Sequence, residues 1–298
     1  MSISHHPALQ SFLDHLRYEK RYSQHTLIAY QTDLEQLFAY MASQFDTPAL
    51  EAINPLLIRS WLAELKTDGM DSRSINRKIS SLKSFFKYQL KTGVLTTNPM
   101  TTIVSPKTSK RLPAFVEEVD LKTLFEHVAF PDTWQGRTEK LVLRLFYSTG
   151  MRLSELIHLK VSQLDAAQYQ LKVLGKGNKE RIIPLGADLV QELQAYQSDL
   201  PERPAGEQRF FLTEQGKGLQ PRSVYAFVKA YLGQVTTLQK KSPHILRHSF
   251  ATHLMNNGAD LNAVKELLGH SSLAATQVYT HNTIEKLKEV FQKAHPKA

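Results

Sequence analysis

Six residues, in a fixed order along the chain, have the types needed to cut a phosphodiester without a metal. Arg152 lies in Thr149-Gly150-Met151-Arg152-Leu153-Ser154-Glu155-Leu156, and Lys176 in Gly175-Lys176-Gly177-Asn178-Lys179-Glu180-Arg181. His244 and Arg247 lie in Pro243-His244-Ile245-Leu246-Arg247-His248, His270 follows Leu267-Leu268-Gly269, and Tyr279 lies in Gln277-Val278-Tyr279-Thr280-His281. A phosphodiester is an anion. Its cleavage needs fixed cations on the non-bridging oxygens, a nucleophile, and a proton donor for the leaving oxygen. Arginine's planar fork matches phosphate oxygens and stays charged, so two arginines can supply the electrostatics of a metal. Arg247 follows His244 by three residues, which puts both on one helix face. A free tyrosine has a pKa near ~10, so a base or a cationic field must help Tyr279 lose its proton. A covalent step would conserve the ester, so rejoining needs no ATP.

Taken singly, each residue has a plainer reading: a surface arginine, a turn lysine, a helix-start histidine, a helix-end histidine, a half-buried tyrosine. His244 and His248, at i and i+4, have the spacing of two zinc ligands on a helix. Against zinc, no Glu follows His244 as a general base, and the fixed cation of Arg247 falls between the two histidines. His248 then reads as a packing residue.

The elements that must position these groups fall into two parts. From Pro7 to Val104 the apolar periodicity is helical. Phe12, Leu13 and Leu16 begin one stripe. Ser23 can cap a helix carrying Leu27, Tyr30, Leu34, Leu37 and Phe38. Pro55 opens a third helix that stops near Gly69, and a fourth runs from Ser72 to Lys91. A helical bundle follows. The stretch from Ser105 to Pro113 is polar, basic and Pro-punctuated and reads as a linker. Beyond it the chain is mostly helical with one β insertion. Tyr169, Leu171 and Val173 alternate with polar residues, Gly175 to Lys179 turn, and Arg181 to Leu185 return. Helices are expected at Ala187–Ser198, Pro221–Leu232, Pro243–Asn256, Asn262–Leu268 and Leu273–Tyr279.

The Ser72–Lys91 helix is two-faced. Ile75, Ile79, Leu82, Phe86 and Leu90 form an apolar stripe. Arg73, Arg77, Ser80, Ser84, Lys87 and Lys91 form the opposite one, with no acid on that face. Basic side chains neutralise phosphates and small serines permit close approach, so this face is read as a DNA contact. A merely solvated amphipathic helix is the competing reading.

The stretch from Ser242 to His281, together with the two segments around Arg152 and Lys176 and the helical N-terminal part, resembles the tyrosine site-specific recombinases, the phage-integrase family. Within it the chain is similar to the bacterial Xer recombinases of the XerC/XerD type. Ala274-Ala275, where many relatives carry Ser or Thr, and the loose match at Ala114 to Glu118 touch none of the six positions. The resemblance implies a mainly α fold: a helical, SAM-like, core-binding DNA domain over 1–105, a linker over 106–113 and a catalytic domain with a small antiparallel sheet over 114–298. It implies that Tyr279 forms a 3′-phosphotyrosyl link, that Arg152 and Arg247 hold the non-bridging oxygens with His270 assisting, that Lys176 protonates the 5′-oxygen, and that His244 assists proton transfer. No cofactor is implied. The implied partners are a double-stranded recombination site, a cyclic tetramer formed with itself or with a paralogous recombinase, and a septal DNA translocase. The implied role is resolution of chromosome dimers before cell division. Integration or resolution of a plasmid or mobile element would use the same six residues. The lack of an added arm-binding N-terminal domain favours the Xer role. A non-catalytic DNA-binding relative would lack an arginine or the tyrosine. A type IB topoisomerase shares the chemistry but swivels DNA as a monomer. Ile284, Leu287, Phe291 and Ala294 form a tail stripe too small for its own core, which suggests docking on a neighbouring subunit, with packing on its own domain as the alternative.

Composition agrees with an anionic partner. The 298 residues hold 37 Lys and Arg against 28 Asp and Glu, a net charge of +9. The pI is near 9.5. Most of the excess follows residue 106. Cysteine is absent, which excludes disulfides, a thiolate nucleophile and cysteine-ligated zinc. The N-terminal residues lack the pattern of a signal peptide, so a cytoplasmic protein is expected.

Overall fold

The computed structural model describes residues 7–108, 114–175, 180–200, 203–269 and 293–295. The chain divides into two compact units, Met1–Arg111 and Leu112–Ala298. The expected linker lies partly outside the described residues. Among the described residues no helix is long and apolar enough to cross a membrane.

The first unit is helical. Helix α1 (Pro7–Asp14) runs into a π turn at His15–Glu19, followed by α2 (Gln24–Phe45), α3 (Pro55–Thr67) and α4 (Ser72–Lys91). The starts are set by local chemistry. Ser23 Oγ accepts from the Thr26 amide at 3.3 Å. Asn54 Oδ1 accepts from the Leu56 and Leu57 amides, with Pro55 at the first helical position. Asp71 Oδ1 accepts from the amides of Arg73 and Ser74. Helix α4 packs against the other three, burying Ile75, Ile79, Leu82, Phe85 and Phe86. Burial of each such side chain contributes about 1.5–3 kcal/mol. Leu90, expected on this stripe, is only partly buried.

One polar joint sits inside this core. Asp33 of α2 is fully buried and accepts from Lys78 Nζ at 2.9 Å and Ser81 Oγ at 2.8 Å. Lys78 itself is 2 % exposed and also donates to Gln36. A buried charge is tolerated only when paired and hydrogen-bonded, and both conditions hold.

The second unit begins with α5 (Glu118–Glu126), α6 (Trp134–Thr149) and the short α7 (Leu153–Ile157). Strands β1 (Leu164–Asp165), β2 (Gln170–Leu174) and β3 (Glu180–Pro184) form an antiparallel sheet in sequential order. Leu174 pairs with Glu180 and Gln170 with Pro184, so Lys176 falls in the chain between β2 and β3. The expected hairpin is present; the two-residue β1 is an addition, too short to show a period. Helices α8 (Ala187–Ser198), α9 (Pro221–Val235), α10 (Pro243–Asn256) and α11 (Leu261–Leu268) follow. Helix α6 is central. It packs against α8, α9 and α10, and Val142, Leu143, Leu145 and Phe146 are fully buried. Helix α11 packs on α10 and β3. The mainly α architecture with a small sheet is the one expected.

Of the tail, only residues 293–295 are described, and they pack on their own unit. Ala294 is buried and its carbonyl accepts from Asn257 Nδ2 at 3.0 Å. The His295 ring lies 5.2 Å from that of Tyr147 and 5.5 Å from that of Phe250. Ile284, Leu287 and Phe291 and the expected helix over Leu273–Tyr279 lie outside the described residues.

Candidate active site

Helix α6 ends at Gly150, whose φ of +58° turns the chain sharply toward Arg152. A Cβ there would meet Phe250 Cδ1 at 2.4 Å, so glycine is required by space as well as by backbone conformation. Arg152 then starts α7. Glu155 at the third helical position reaches back and accepts from the Arg152 amide at 2.6 Å. This is the reciprocal half of a capping box; a guanidinium has no acceptor with which to make the other half.

Arg152 and Arg247 converge on one place, the C-terminal turn of α11. Arg152 Nη2 donates to Gly269 O at 2.9 Å, and Arg247 Nη2 donates to Leu268 O at 2.7 Å. Arg247 Nη1 also donates to Gly150 O at 2.5 Å. The last carbonyls of a helix lack intrahelical donors and carry partial negative charge, which suits cations there. Arg247 is buried, 6 % exposed, whereas the Arg152 side chain is 35 % exposed. Burial, and then repulsion from Arg152, push the Arg247 pKa down to about 10. It stays charged at neutral pH, in surroundings that an anion would relieve.

A third arginine completes the arrangement. Arg181 of β3 donates from Nε to Leu267 O at 2.9 Å. Its two terminal nitrogens grip the Glu155 carboxylate at 2.8 and 2.7 Å. Glu155 Oε1 also accepts from Arg152 Nη1 at 2.8 Å. Burial alone would raise the Glu155 pKa, but the hydrogen bonds and charges of Arg181 and Arg152 outweigh it and hold the pKa below its ordinary value. Arg181 and Arg152 thus share the Glu155 carboxylate while Arg247 bonds only to backbone carbonyls, so the three guanidiniums outnumber the acid that balances them.

His244 sits in the first turn of α10 and is exposed, although Arg247 three residues on is buried. His248 is partly buried, and its pKa is lowered by burial and by His244. Among the described residues no group of three metal-ligating side chains is arranged to hold an ion. Lys176, His270 and Tyr279 lie outside the described residues, but their neighbours do not. Gly175 lines an open cleft of about 560 Å³ with Arg152, Glu155, His158, Lys160 and Lys172. Gly269 immediately precedes His270.

In the first unit, Arg73, Arg77, Ser80, Lys87 and Lys91 of α4 are exposed and Ser84 is partly so. Lys83, unremarked in the sequence, is exposed beside them. The face is not free of acid, as the helix alone suggested. Asp33 of α2 pairs with Arg77 Nη1 at 2.5 Å, which leaves the Arg77 side chain 49 % exposed.

Glu155 and Arg181 were not singled out from the sequence. Both lie inside the segments that flank Arg152 and Lys176. The signal was an acid three residues after an arginine, and an arginine at an inward strand position where alternation predicts an apolar side chain.

Known proteins similar to this chain are integrases and recombinases. The sequence model of the phage integrase family matches residues 115–286, and that of the phage integrase N-terminal SAM-like domain matches 9–93. The tyrosine recombinase XerC of Chlorobaculum parvum is 40 % identical, over 97 % of this chain and 94 % of the relative. That of Pelobacter propionicus is also 40 % identical, over 97 % and 95 %. Among solved structures, XerH recombinase bound to a palindromic difH substrate superposes with a TM-score of 0.73 at 23 % identity, covering 94 % of this chain and 82 % of that one. The Tn1549 transposon integrase in complex with circular intermediate DNA gives 0.69 at 18 %, covering 94 % and 98 %. These two structures share the fold. With the family model spanning more than half the residues and full-length relatives at this identity, the chain belongs to the phage integrase family, as a tyrosine recombinase that cuts and rejoins DNA at specific sites.

Proposed function

We propose that this recombinase resolves chromosome dimers before cell division, through a 3′-phosphotyrosyl intermediate on Tyr279. The observation that carries the site assignment is the convergence of Arg152 and Arg247 on the carbonyls of Leu268 and Gly269, next in the chain to His270. In this reading the two guanidiniums and His270 hold the non-bridging oxygens. The Tyr279 oxygen forms a bond to phosphorus while His244 takes its proton. The bond from phosphorus to the 5′-oxygen breaks, and Lys176 gives that oxygen a proton. Rejoining reverses these steps with a 5′-hydroxyl from the partner strand. The phosphate ester is conserved throughout, so neither ATP nor a metal enters the balance.

The chromosomal role rests on the relatives named XerC at 40 % identity. It brings with it a cytoplasmic location, a cyclic tetramer built with itself or a paralogue, and control by a septal DNA translocase. The division into a DNA-binding unit and a catalytic unit with a linker near 106–113 belongs to the same reading. So does DNA contact by the exposed basic row of α4.

The test is a nicked suicide substrate incubated with the protein in EDTA. A covalent protein–DNA adduct should form, and Tyr279→Phe should abolish it. Loss of the adduct on chelation, or its persistence in the Phe variant, would overturn the assignment.

A further inference from the structure

Resting on the site assignment above, we propose that Arg181 is a positioning residue for strand cleavage, acting through Glu155 on Arg152 and through Leu267 on the end of α11. Three observations carry this. First, Arg181 is almost wholly inside the protein, with its side chain 3 % exposed. A buried ion pair is weak evidence of a purely stabilising role, since apolar side chains in place of both partners would avoid the desolvation cost. Second, three of its N–H groups are committed in one plane, Nε to Leu267 O and the two terminal nitrogens to the two oxygens of Glu155. This fork fixes the carboxylate in both position and rotation, which a lysine ammonium cannot do. Third, each partner adjoins one of the proposed chemical groups. Glu155 accepts from Arg152 through both the side chain and the backbone amide. Leu267 is three residues before His270. Arg181 itself lies on β3, five positions after Lys176 in the chain.

The Arg152 guanidinium is part-exposed, and its other tie is the single bond from Nη2 to Gly269 O. Held at one edge by a carboxylate that is itself held by Arg181, it has one setting. Glu155 can perform this task only while oriented. Its Oε1 is shared between Arg152 and Arg181, so loss of the Arg181 fork would let the carboxylate rotate onto Arg152 as an ordinary ion pair. That would draw the guanidinium away from the non-bridging oxygens. The Arg181 side chain also lies beside Gly269, the residue before His270 in the chain, where an added Cβ would come 3.0 Å from Arg181 Cδ.

The test compares Arg181→Lys, Glu155→Gln and the double variant with the wild type, using the full chain. Three quantities are read: affinity for a recombination-site duplex, single-turnover cleavage of a suicide substrate at saturating DNA, and thermal melting. Arg181→Lys keeps the charge, so affinity should change by less than about threefold, because binding is spread over many phosphates. Cleavage should fall about ten- to a hundredfold, the scale of small misplacements of a reacting group. Because both residues act in one chain of contacts, the double variant should be no more than about twofold slower than the slower single. Multiplicative losses, or cleavage by Arg181→Lys within about threefold of wild type, would overturn the proposal. A general loss of stability cannot imitate the outcome, as it would not make the two substitutions non-additive at saturating DNA and below the melting transition. If Arg181→Lys does not fold, Glu155→Gln decides. The same split between binding and cleavage supports the proposal, and wild-type cleavage refutes it. Arg152→Ala and Tyr279→Phe, run alongside, separate failure of this proposal from failure of the site assignment. Should they still cleave, the site itself is misplaced.

Discussion

Replacing Arg247 by alanine should separate chemistry from binding, and the structure gives the expected size of each effect. The substitution removes two hydrogen bonds from a charged group to buried carbonyls, Gly150 O and Leu268 O. At about 1.5–3 kcal/mol each, that loss would amount to roughly 3–6 kcal/mol. The same substitution removes a guanidinium whose burial and repulsion from Arg152 have pushed its pKa down to about 10, from an ordinary 12.5. A displacement of that size corresponds to about 3 kcal/mol of relieved strain on the charged form. The two terms oppose each other, so the net cost to folding should be about 0–3 kcal/mol, a fall in melting temperature of up to about 10 °C. Cleavage behaves differently. A preorganised donor to the transition-state oxyanion is worth about 10²–10³ in rate, and nothing compensates its loss. Affinity should change little, because one contact among many is removed. Gel shift, single-turnover cleavage of a suicide substrate and a thermal melt, all at one salt concentration, read the three effects. A dissociation constant that rises in proportion to the fall in cleavage would show that Arg247 merely positions DNA. Cleavage within tenfold of wild type would show that it does not touch the reacting phosphate.

Two further outcomes are expected. Lys87→Ala on the exposed row of α4 should weaken binding to all duplexes alike and reduce the slope of log affinity against log salt by about 0.9, whereas a solvated face would leave the slope unchanged. His253 is buried against α6, its Nδ1 3.0 Å from the Tyr147 hydroxyl. Burial lowers its pKa, against the opposing pull of Glu118, Glu117 and the Val116 backbone. The unfolded chain therefore takes up the proton first. The stability this group contributes is present above the ordinary value of 6.5 and is lost as pH falls through its lower folded value. Melting temperature should drop on acidification through that window, and drop less in His253→Gln. An equal drop in both proteins would remove His253 as the cause.

What could be read from the chain follows from how local each signal is. Helix α4 is bounded by Asp71 and Gly93 and its apolar residues recur every three to four positions, so its limits, Ser72–Lys91, were legible. The hairpin was legible because Gly175 to Lys179 interrupts an alternating run. The helix starting at Pro243 was legible from proline alone. What the sequence could not show were partnerships across distance. Lys78 falls between the two stripes of α4, and only the approach of Asp33, on another helix, explains its burial. Arg181 reads as one more cation in a basic turn until Glu155 is brought against it. The exposure of His244 beside the burial of Arg247 depends on how α10 is rolled against α6, which three-residue spacing does not determine. The short strand β1 has two residues and therefore no period to detect.

The joint at Asp33 bears on which arrangements of the first unit are closed to it. Apolar side chains at positions 33 and 78 could have packed as densely, but a greasy seam between two helices tolerates being rolled. Turning α4 about its axis by a few tens of degrees, well short of the roughly 100° per residue that would bring its polar face inward, would exchange one apolar contact for another at small cost. With an ammonium at 78 and a carboxylate at 33, the same roll would leave both charges stranded away from water, at about 3–5 kcal/mol for the broken pair. The pair therefore acts as a detent. It holds α4 at one azimuth, and the residues whose aim that azimuth decides are Arg73, Ser80, Lys83, Lys87 and Lys91 on the outer side.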